Sequence, residues 1–569
     1  MKKINQFSIL LIACLTASMT SYAQFKINGK SVVYDKLSNS YMTSIPEETF
    51  GKDYTGIITL DTDSAWNNLS IENTKIENTF VFKEIEGNKE YTLKAKKGQK
   101  DINTKITFTF LPIIDLKGTF DYNYSNGKLS LLAPEETEPV TTFLKAKWRG
   151  GSTNTADKHK RNYKIKTLNE KGKKQEISLL GMREDNNWIL DAGQVDLFRL
   201  RNRIATEIWN EFASKPYYTS KEPKAKSGVA GKVVEVILNN EYRGIYSLTE
   251  TMDRKELKLK KYDDINQEFH GQLWKVSSWD KAQFWNIDKD YDNTKETWHA
   301  FETKYPDFED VNPTDYTHLY NAINFVANSN DEIFKKEVSE YFDIPVLIDY
   351  QIFLEVLKPI DNCGKNMYWG IYDVARDKKL TLAIWDLDAS VGQDWHCSTP
   401  LHPDYVSPDT ELGIKEAFNL YTRLSTLNVD NYNQKVADRY HELRKTYFSE
   451  ENLIAKYQNH YDMLAKCGAA NREERKWSED SDIGGYPLNF KKEIEYIKNW
   501  IIQRLNYLDT TQFPSTNGIQ KVLSFKKTKS TETYNMLGLK VNTSYKGIKI
   551  INGKKYYISP VSYTHLTLP

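Results

Sequence analysis

Two acidic motifs in the middle of the chain carry the residue types that phosphoryl transfer needs. Asp361 and Asn366 are separated by four residues, and Asp386 and Asp388 follow a short apolar run further along the chain. A carboxylate can accept the proton of a hydroxyl group, and carboxylate and amide oxygens bind hard divalent metal ions. Either motif alone is more often a turn or a strand end with solvated acids. Their combination predicts a site that works by positioning and charge neutralisation.

The elements around these motifs would bring them together. Asp343 is a predicted N-cap, and a buried helical stripe from Val346 to Leu357 leads into the segment that holds Asp361. Residues 367–374 and 380–384 alternate as a hairpin, whose second strand ends at Trp385. We therefore expect the loop and the strand end to be neighbours.

An earlier part of the chain supplies candidate cation and glycine contacts. Arg149 to Ser152 reads as a strand end and a Gly-Gly turn, and Tyr163 to Lys166 alternates so that both lysines share one strand face. A helix is predicted over 194–212, followed by a hairpin that ends at Glu250. The predicted order is a strand with lysine, a helix, a hairpin and an acidic connector. This is the order of elements in the N-lobe of a kinase.

With these motifs in view, residues 140–510 resemble the CotH kinase family of secreted, spore-coat-type atypical kinases. The resemblance rests on the following segments: Arg149 to Ser152, Lys160 to Lys166, Glu241 to Glu250, Asp361 to Asn366, Trp385 to Asp388, and the helix Glu493 to Leu508. It implies a bilobal protein-kinase-like domain, ATP with Mg²⁺ or Mn²⁺ as cofactors, and phosphorylation of Ser/Thr hydroxyls on exported proteins.

The resemblance also implies roles for individual residues. Asp361 matches the catalytic carboxylate, Asn366 and Asp386 match metal ligands, and Asp388 is a second acid. The positions carried over as cofactor-binding are Gly150, Gly151, Ser152, Lys164, Lys166 and Glu250. Either lysine could pair with phosphate, and the glutamate is expected at the hinge near adenine. The Gly-Gly-Ser turn departs from the family's frequent Gly-Asn-Ser, and residues 264–315 form an aromatic-rich insertion without an assigned role.

The fold class predicted is multidomain α+β, in five segments. Residues 1–23 have the pattern of a signal peptide, although Leu11 to Cys14 also resembles a lipobox that would anchor the protein through Cys14. The remaining segments are an immunoglobulin-like β-sandwich (25–133), the kinase-like domain (140–510), a small β-domain resembling Bacteroidetes sorting domains (519–559), and a tail that continues no earlier pattern (562–569). Proline-containing linkers between them predict that a fragment of about 137–512 folds alone.

Composition limits the other functions. Lys and Arg total 78 against 77 Asp and Glu, so the charge balance favours neither nucleic acid nor an anionic membrane as partner. No apolar run is long enough to predict a membrane span. Four cysteines, of which one lies in the expected signal peptide, predict at most one disulfide.

Competing interpretations stay open at this point. His396, Cys397 and His402 could bind zinc but fit no standard spacing, and Arg199, Arg201 and Arg203 could bind phosphate but are more simply solvated or ion-paired. The main function predicted is an exported ATP-dependent protein kinase at the periplasm, cell surface or outside the cell, with export machinery as a partner of the C-terminal domain. The alternatives are a surface binding or adhesion protein that uses the same fold without turnover, and transfer of phosphate to a surface glycan.

Overall fold

The computed structural model divides the chain into two compact units, one ending at Leu508 and one beginning at Asp509. It describes residues 25–151, 153–279, 281–394, 406–409 and 413–514, together with three short strands further on. The architecture of the first unit is mixed α/β with a β-rich N-terminal region, as the sequence predicts.

The N-terminal region is built from two sheets. The first contains β1 (Phe25–Ile27), β2 (Lys30–Ser31), β5 (Tyr54–Leu60) and β8 (Thr79–Phe82). The second contains β3 (Val33–Asp35), β4 (Ser40–Ser44), β6 (Trp66–Ile71), β7 (Thr74–Lys75), β9 (Tyr91–Lys97) and β10 (Lys100–Thr109). The buried ring of Phe82 in the first sheet lies 5.0 Å from those of Tyr91 and Phe108 in the second. Alternating aromatic residues thus form the core between the sheets, while an immunoglobulin-like type stays a prediction.

A closed seven-stranded barrel follows. Its strands are β11 (Ile113–Gly118), β12 (Ser125–Leu132), β13 (Val140–Arg149), β14 (Asn162–Leu168), β15 (Asn187–Asp191), β16 (Gly231–Leu238) and β17 (Glu241–Thr249). Every second residue of these strands points into the barrel and fills its interior, as Ala146, Ile165 and Leu190 do. The intervening residues therefore point outward, and Lys147 and Lys164 face each other across β13 and β14.

The predicted boundary between residues 133 and 140 was wrong. Strands β11 and β12 precede it but pair with β13 and with β16, so they belong to the barrel. The sandwich also packs on the rest of this unit, because Val33 and Met42 share a buried cluster with Ile237. A fragment that starts near residue 137 would remove two of the seven barrel strands.

A five-stranded sheet lies next along the chain. It has the order β19 (Thr297–Trp298), β20 (Phe301–Tyr305), β18 (Gln272–Val276), β21 (Met367–Ile371) and β22 (Thr381–Ile384). The predicted hairpin is its β21–β22 pair. The aromatic-rich segment 264–315 supplies the other three strands, so it is part of the sheet rather than a peripheral insertion.

The described residues contain eleven α-helices. They are α1 (Arg201–Phe212), α2 (Arg254–Leu257), α3 (Thr317–Asn328), α4 (Asp331–Tyr341), α5 (Ile344–Leu357), α6 (Ile414–Ala417), α7 (Asn419–Thr426), α8 (Tyr432–Arg444), α9 (Glu450–Lys466), α10 (Ala469–Trp477) and α11 (Phe490–Tyr507). Among them, none is long and apolar enough to cross a membrane. Helix α1 begins later than predicted, because the backbone at Arg199 turns through a positive φ of 62°. Asp343 precedes α5 but does not cap it; its carboxylate accepts from the Tyr217 N–H and the Thr381 hydroxyl.

Several sequence predictions lie outside the described residues. These are the signal peptide and lipobox, the zinc candidates His396, Cys397 and His402, and the terminal tail. Within the second unit the described strands β23 (Thr533–Asn535), β24 (Gly547–Ile551) and β25 (Lys554–Ile558) form an antiparallel sheet, as expected of a β-domain. Cys363 and Cys467 are buried free thiols.

Candidate active site

The loop after α5 brings Asp361 and Asn366 into direct contact. Helix α5 ends where Lys358 adopts a left-handed conformation, and a short 3₁₀ turn over Ile360–Cys363 follows. The Asn366 side-chain amide donates to Asp361 Oδ2 at 2.8 Å, and Lys365 Nζ lies 3.0 Å from the same oxygen. The predicted pair is thus one hydrogen-bonded unit, in which the Asp361 residue is only 8% exposed.

The second oxygen of Asp361 has a partner that the sequence did not reveal. Trp279, which follows β18, donates its indole N–H to Asp361 Oδ1 at 2.8 Å. The same ring lies against Gly364, where an added Cβ would come within 2.4 Å of it. The glycine therefore lets the indole approach the loop, and residue 279 fixes the carboxylate from the side opposite Asn366.

Asn362 ties this loop to the end of β22. Its side-chain amide donates to the carbonyl oxygens of Trp385 at 2.8 Å and Asn366 at 3.1 Å, and its own carbonyl accepts from Tyr350 of α5 at 2.6 Å. The two predicted motifs therefore lie together, held by a hydrogen-bonded bridge.

Asp386 and Asp388 stand beside this loop in an acidic cluster. Asp386 is exposed to solvent, yet the protein packed around its carboxyl group raises its pKa, and Asp191 and Asp361 add to this effect. Burial and the negative charges of Asp386 and Asp191 raise the pKa of Asp388 well above its usual range. Like charges held this close favour the binding of a cation.

Asp191 at the end of β15 is an acid that the sequence reasoning missed. Asn202 of α1 donates to Asp191 Oδ2 at 2.7 Å and accepts the backbone N–H of Leu387 at 3.1 Å. One asparagine thus joins the barrel strand to the Asp386–Asp388 segment. An aspartate at the end of an apolar run, as in NWILD, is a signal that could have identified it.

Two residues of the site adopt backbone conformations that few residue types tolerate. Asn366 and Asp386 have φ values of 58° and 60°, in the left-handed region. Each such conformation costs on the order of 1–3 kcal/mol and persists where the surroundings impose it, often at functional sites. Asn and Asp enter this region more readily than most other residues, which suits both positions.

Cations face the acidic cluster from the barrel and from the sheet. Arg149, at the end of β13, and Lys275, on β18, both lower the pKa of Asp386, although the protein packed around its carboxyl group raises it more. The Arg149 guanidinium lies 5.5 Å from the ring centre of Trp385. Burial lowers the pKa of Lys275, while Asp386 partly counteracts this. Because Lys275 lies in the supposed insertion, sequence reasoning did not include it.

Of the two predicted lysines, Lys164 lies closer to this region. It is paired across the strands with Lys147 and with Ile189, and Ile189 lines the same cavity as Arg149 and Asp386. Burial lowers the pKa of Lys164 to about 8, and the positive charges of Lys166, Lys304 and Lys147 contribute. Lys166 is two residues further along the same face.

The remaining positions predicted to bind the cofactor are in the glycine turn and at Glu250. Gly150 has a φ of 124°, and an added Cβ would lie 2.1 Å from Thr153 Oγ1, so the turn requires glycine. An added Cβ at Gly151 would meet no atom within 4 Å, and Ser152 lies outside the described residues. Glu250 is buried, and its carboxylate accepts backbone N–H groups of Arg183 (2.9 Å) and Ala230 (3.3 Å). Its observed contacts anchor the strand end, and its place beside adenine stays a prediction.

The arginines around α1 are ion-paired. Arg199 contacts Glu473, Arg203 contacts Glu207, and Arg201 lies 2.7 Å from Asp196 and 2.5 Å from Glu493. This confirms the simpler of the two interpretations and removes them as free phosphate contacts.

One His/Asp group in the described residues has the spacing of metal ligands, with atoms within 4.8 Å of one another. It consists of His159, Asp480 and Asp482. Asp482 Oδ2 already accepts two backbone N–H groups, from His159 and Lys160. We interpret the group as an anchor that holds the loop after Gly151 to the segment following α10.

The described fold thus places an Asp–Asn pair and a cluster of aspartates between the barrel and the five-stranded sheet. The family model of the CotH kinase protein matches residues 146–508, more than half of the chain. The chain therefore belongs to the CotH kinase family. A comparison with curated proteins found no match.

Proposed function

We propose that this protein is an exported kinase that transfers the γ-phosphate of ATP to Ser/Thr hydroxyls of secreted or surface proteins. Family membership supports a kinase-like phosphotransferase. The observation that carries the proposal is the hydrogen-bonded Asp361–Asn366 pair, tied through Asn362 to the strand end that bears Asp386. Phosphoryl transfer needs little beyond such positioning and the neutralisation of phosphate charge.

The acidic cluster fits a divalent metal ion. Asp386 and Asn366 would hold it, with Asp388 and Asp191 as further oxygen donors, and hard oxygen ligands are those that Mg²⁺ prefers. When bound, the ion neutralises phosphate charge. Burial is the first cause of the raised pKa of Asp388, and the negative charges of Asp386, Asp191 and Asp196 add to it. A bound cation would offset this repulsion between neighbouring carboxylates.

Asp361 would accept the proton of the attacking hydroxyl. Its carboxylate is fixed by Trp279 at one oxygen and by Asn366 and Lys365 at the other. These contacts restrict rotation of the group, so that it can present a lone pair in a constant direction.

Arg149, Lys164 and Lys275 would contact the phosphate groups. Arg149 and Lys275 approach the acidic cluster from the barrel and the sheet, and the glycine turn at 150–151 leaves backbone free to come close. Lys164 is the better of the two predicted phosphate lysines, because its cross-strand neighbour Ile189 lines the cavity at Asp386.

Export is part of the proposal. It rests on the signal-type pattern of residues 1–23 and on the likeness of residues 519–559 to sorting domains, which would make export machinery a partner. Removal of residues 1–23 in cells should leave the protein inside, as fractionation with antibody detection would measure.

The proposal is tested by nucleotide binding with and without Mg²⁺, followed by transfer of label from γ-³²P-ATP to protein. Asp386→Ala should weaken MgATP binding in calorimetry and leave metal-free ATP binding largely unchanged. Asp264→Ala, which alters an exposed acid, is the matched control. Unchanged MgATP affinity in the first variant would remove Asp386 as a ligand. Nucleotide binding without any transfer would favour the non-catalytic binding protein.

A further inference from the structure

Three lysines surround one tyrosine on the outer face of the barrel. The ammonium groups of Lys145, Lys147 and Lys166 lie 5.2, 5.0 and 5.2 Å from the centre of the Tyr124 ring. Lys145 and Lys166 are cross-strand partners on β13 and β14, which places all three ammonium groups on one surface. We call these four residues the lysine patch.

The three lysines of the lysine patch form no ion pair with a described carboxylate. Its three lysines are half-buried, and no carboxylate is within ion-pair distance of their ammonium groups. Like charges at this density repel one another, and burial together with two of these lysines lowers the pKa of the adjacent Lys164. The hydroxyl of Tyr124 is also buried without a hydrogen-bond partner. An anionic ligand would relieve both costs.

The lysine patch extends away from the candidate active site. Arg149, Lys147 and Lys145 alternate along the outer face of β13. A strand rises about 3.4 Å per residue, so Lys145 lies about 14 Å along the strand from Arg149. The lysine patch is therefore a continuation of the site, at a distance suited to a peptide residue a few positions from the acceptor hydroxyl.

Acidic side chains already approach the lysine patch from the chain itself. Burial raises the pKa of Tyr124 to about 12, and the negative charges of Glu309 and Asp307 contribute. Both acids lie on an exposed loop after β20 and make no ion pair with the three lysines. Their position indicates the kind of group that this surface attracts, while the lysines stay available to a ligand.

We propose that the lysine patch binds an acidic segment of the acceptor protein, next to the residue that receives the phosphate. This inference rests on the proposed kinase function and adds the substrate class: a Ser- or Thr-containing sequence flanked by carboxylates or by phosphorylated residues. Charge complementarity selects such partners and holds them in register. A lysine-rich acceptor would be repelled.

Binding can be measured without nucleotide, by fluorescence anisotropy on the full chain. The probes are a serine peptide flanked by glutamates, the same peptide flanked by phosphoserines, and one flanked by lysines. We expect the two acidic probes to bind, and to bind more weakly at high salt. Comparing the affinities of the glutamate and phosphoserine peptides shows which anion is preferred. Lys145→Glu should weaken acidic-peptide binding by about tenfold, and Lys145→Gln by less. Lys97→Glu, on an exposed strand lysine of the N-terminal sandwich, should have no effect.

Three outcomes would overturn the inference: equal binding of the lysine-flanked probe, no effect of either Lys145 variant, or a loss of MgATP affinity in Lys145→Glu that equals its loss of peptide affinity. The last result would assign the lysine patch to the nucleotide. Lys145→Gln has the same size and shape as Lys145→Glu without its negative charge, and it checks that Lys145→Glu does not act through misfolding. Acidic-peptide binding without phosphate transfer would support the lysine patch and refute the kinase proposal alone.

Discussion

Replacing Trp279 by phenylalanine isolates one contact of the proposed catalytic carboxylate. The change removes the indole N–H that donates to Asp361 Oδ1 at 2.8 Å and keeps an aromatic ring against Gly364. The contact with Asn366 at the other oxygen is left in place. The Asp361 carboxylate thereby loses the contact at one of its two oxygens, while its charge and its loop persist.

The size of the effect follows from the type of bond. A hydrogen bond to a charged group contributes about 1.5–3 kcal/mol, and Asp361 is too buried for water to replace the lost donor fully. If that bond orients Asp361 in the transition state, kcat should fall by about ten- to a hundredfold. The KM for ATP should change little, because Trp279 touches the proton acceptor rather than the phosphate contacts. Steady-state transfer of label from γ-³²P-ATP measures both constants.

Trp285→Phe is the matched control for this prediction. Trp285 lies in the same chain segment and donates its indole N–H to the Ala417 carbonyl, also at 2.8 Å, but it contacts no site residue. Its kcat should stay near wild type. Equal falls in both variants would mean that the segment as a whole, and not the bond to Asp361, is responsible. An unchanged kcat in Trp279→Phe would refute the positioning role.

Three further predictions concern stability, pH and metal dependence. Glu473→Gln should lower the melting temperature strongly, since it leaves Lys160 and Arg199 buried without their common counter-ion, a loss of about 3–5 kcal/mol. Lys160→Met should be milder in the same thermal melt, because Arg199 still neutralises the glutamate; equal losses would contradict this. MgATP affinity should fall as the pH rises from 7 to 9, because the lowered pKa of Lys164, about 8, removes its positive charge in that range. Lys164→Arg should flatten this profile in calorimetry, and a profile identical to wild type would exclude the lysine. Asp386→Ala should require more Mg²⁺ for half-maximal transfer, and an unchanged Mg²⁺ requirement would argue against its ligand role.

The local part of the site could be predicted from the sequence, because its determinants are close together in the chain. The helix that ends before Pro359, the loop from Asp361 to Asn366 and the hairpin that ends at Trp385 follow from periodicity and turn residues. The lysines on one face of β14 follow from strand alternation in the same way. Each of these signals spans fewer than about twenty residues, the range over which patterns fix structure.

Contacts between distant segments could not be predicted. Trp279 reaches Asp361, and Asp191 reaches the Asp386 segment through Asn202, only because strands far apart in the sequence are neighbours in space. Alternation identifies a strand but not its partner, and the boundary near residue 133 failed for that reason. Ile113 pairs in parallel with Glu235, across more than a hundred residues. A proline-containing linker inside a barrel resembles one between domains.

The most direct test of the account is Asp361→Asn, assayed for both nucleotide binding and phosphate transfer. The variant removes the proton acceptor with little change in volume and keeps a group that can pair with Asn366. Loss of general-base catalysis costs about 10²–10⁴-fold, so transfer of label should fall to a few per cent or less while MgATP affinity stays near wild type. Transfer at a substantial fraction of the wild-type rate, in a variant that binds MgATP normally, would contradict the assignment of Asp361 and the mechanism built on it.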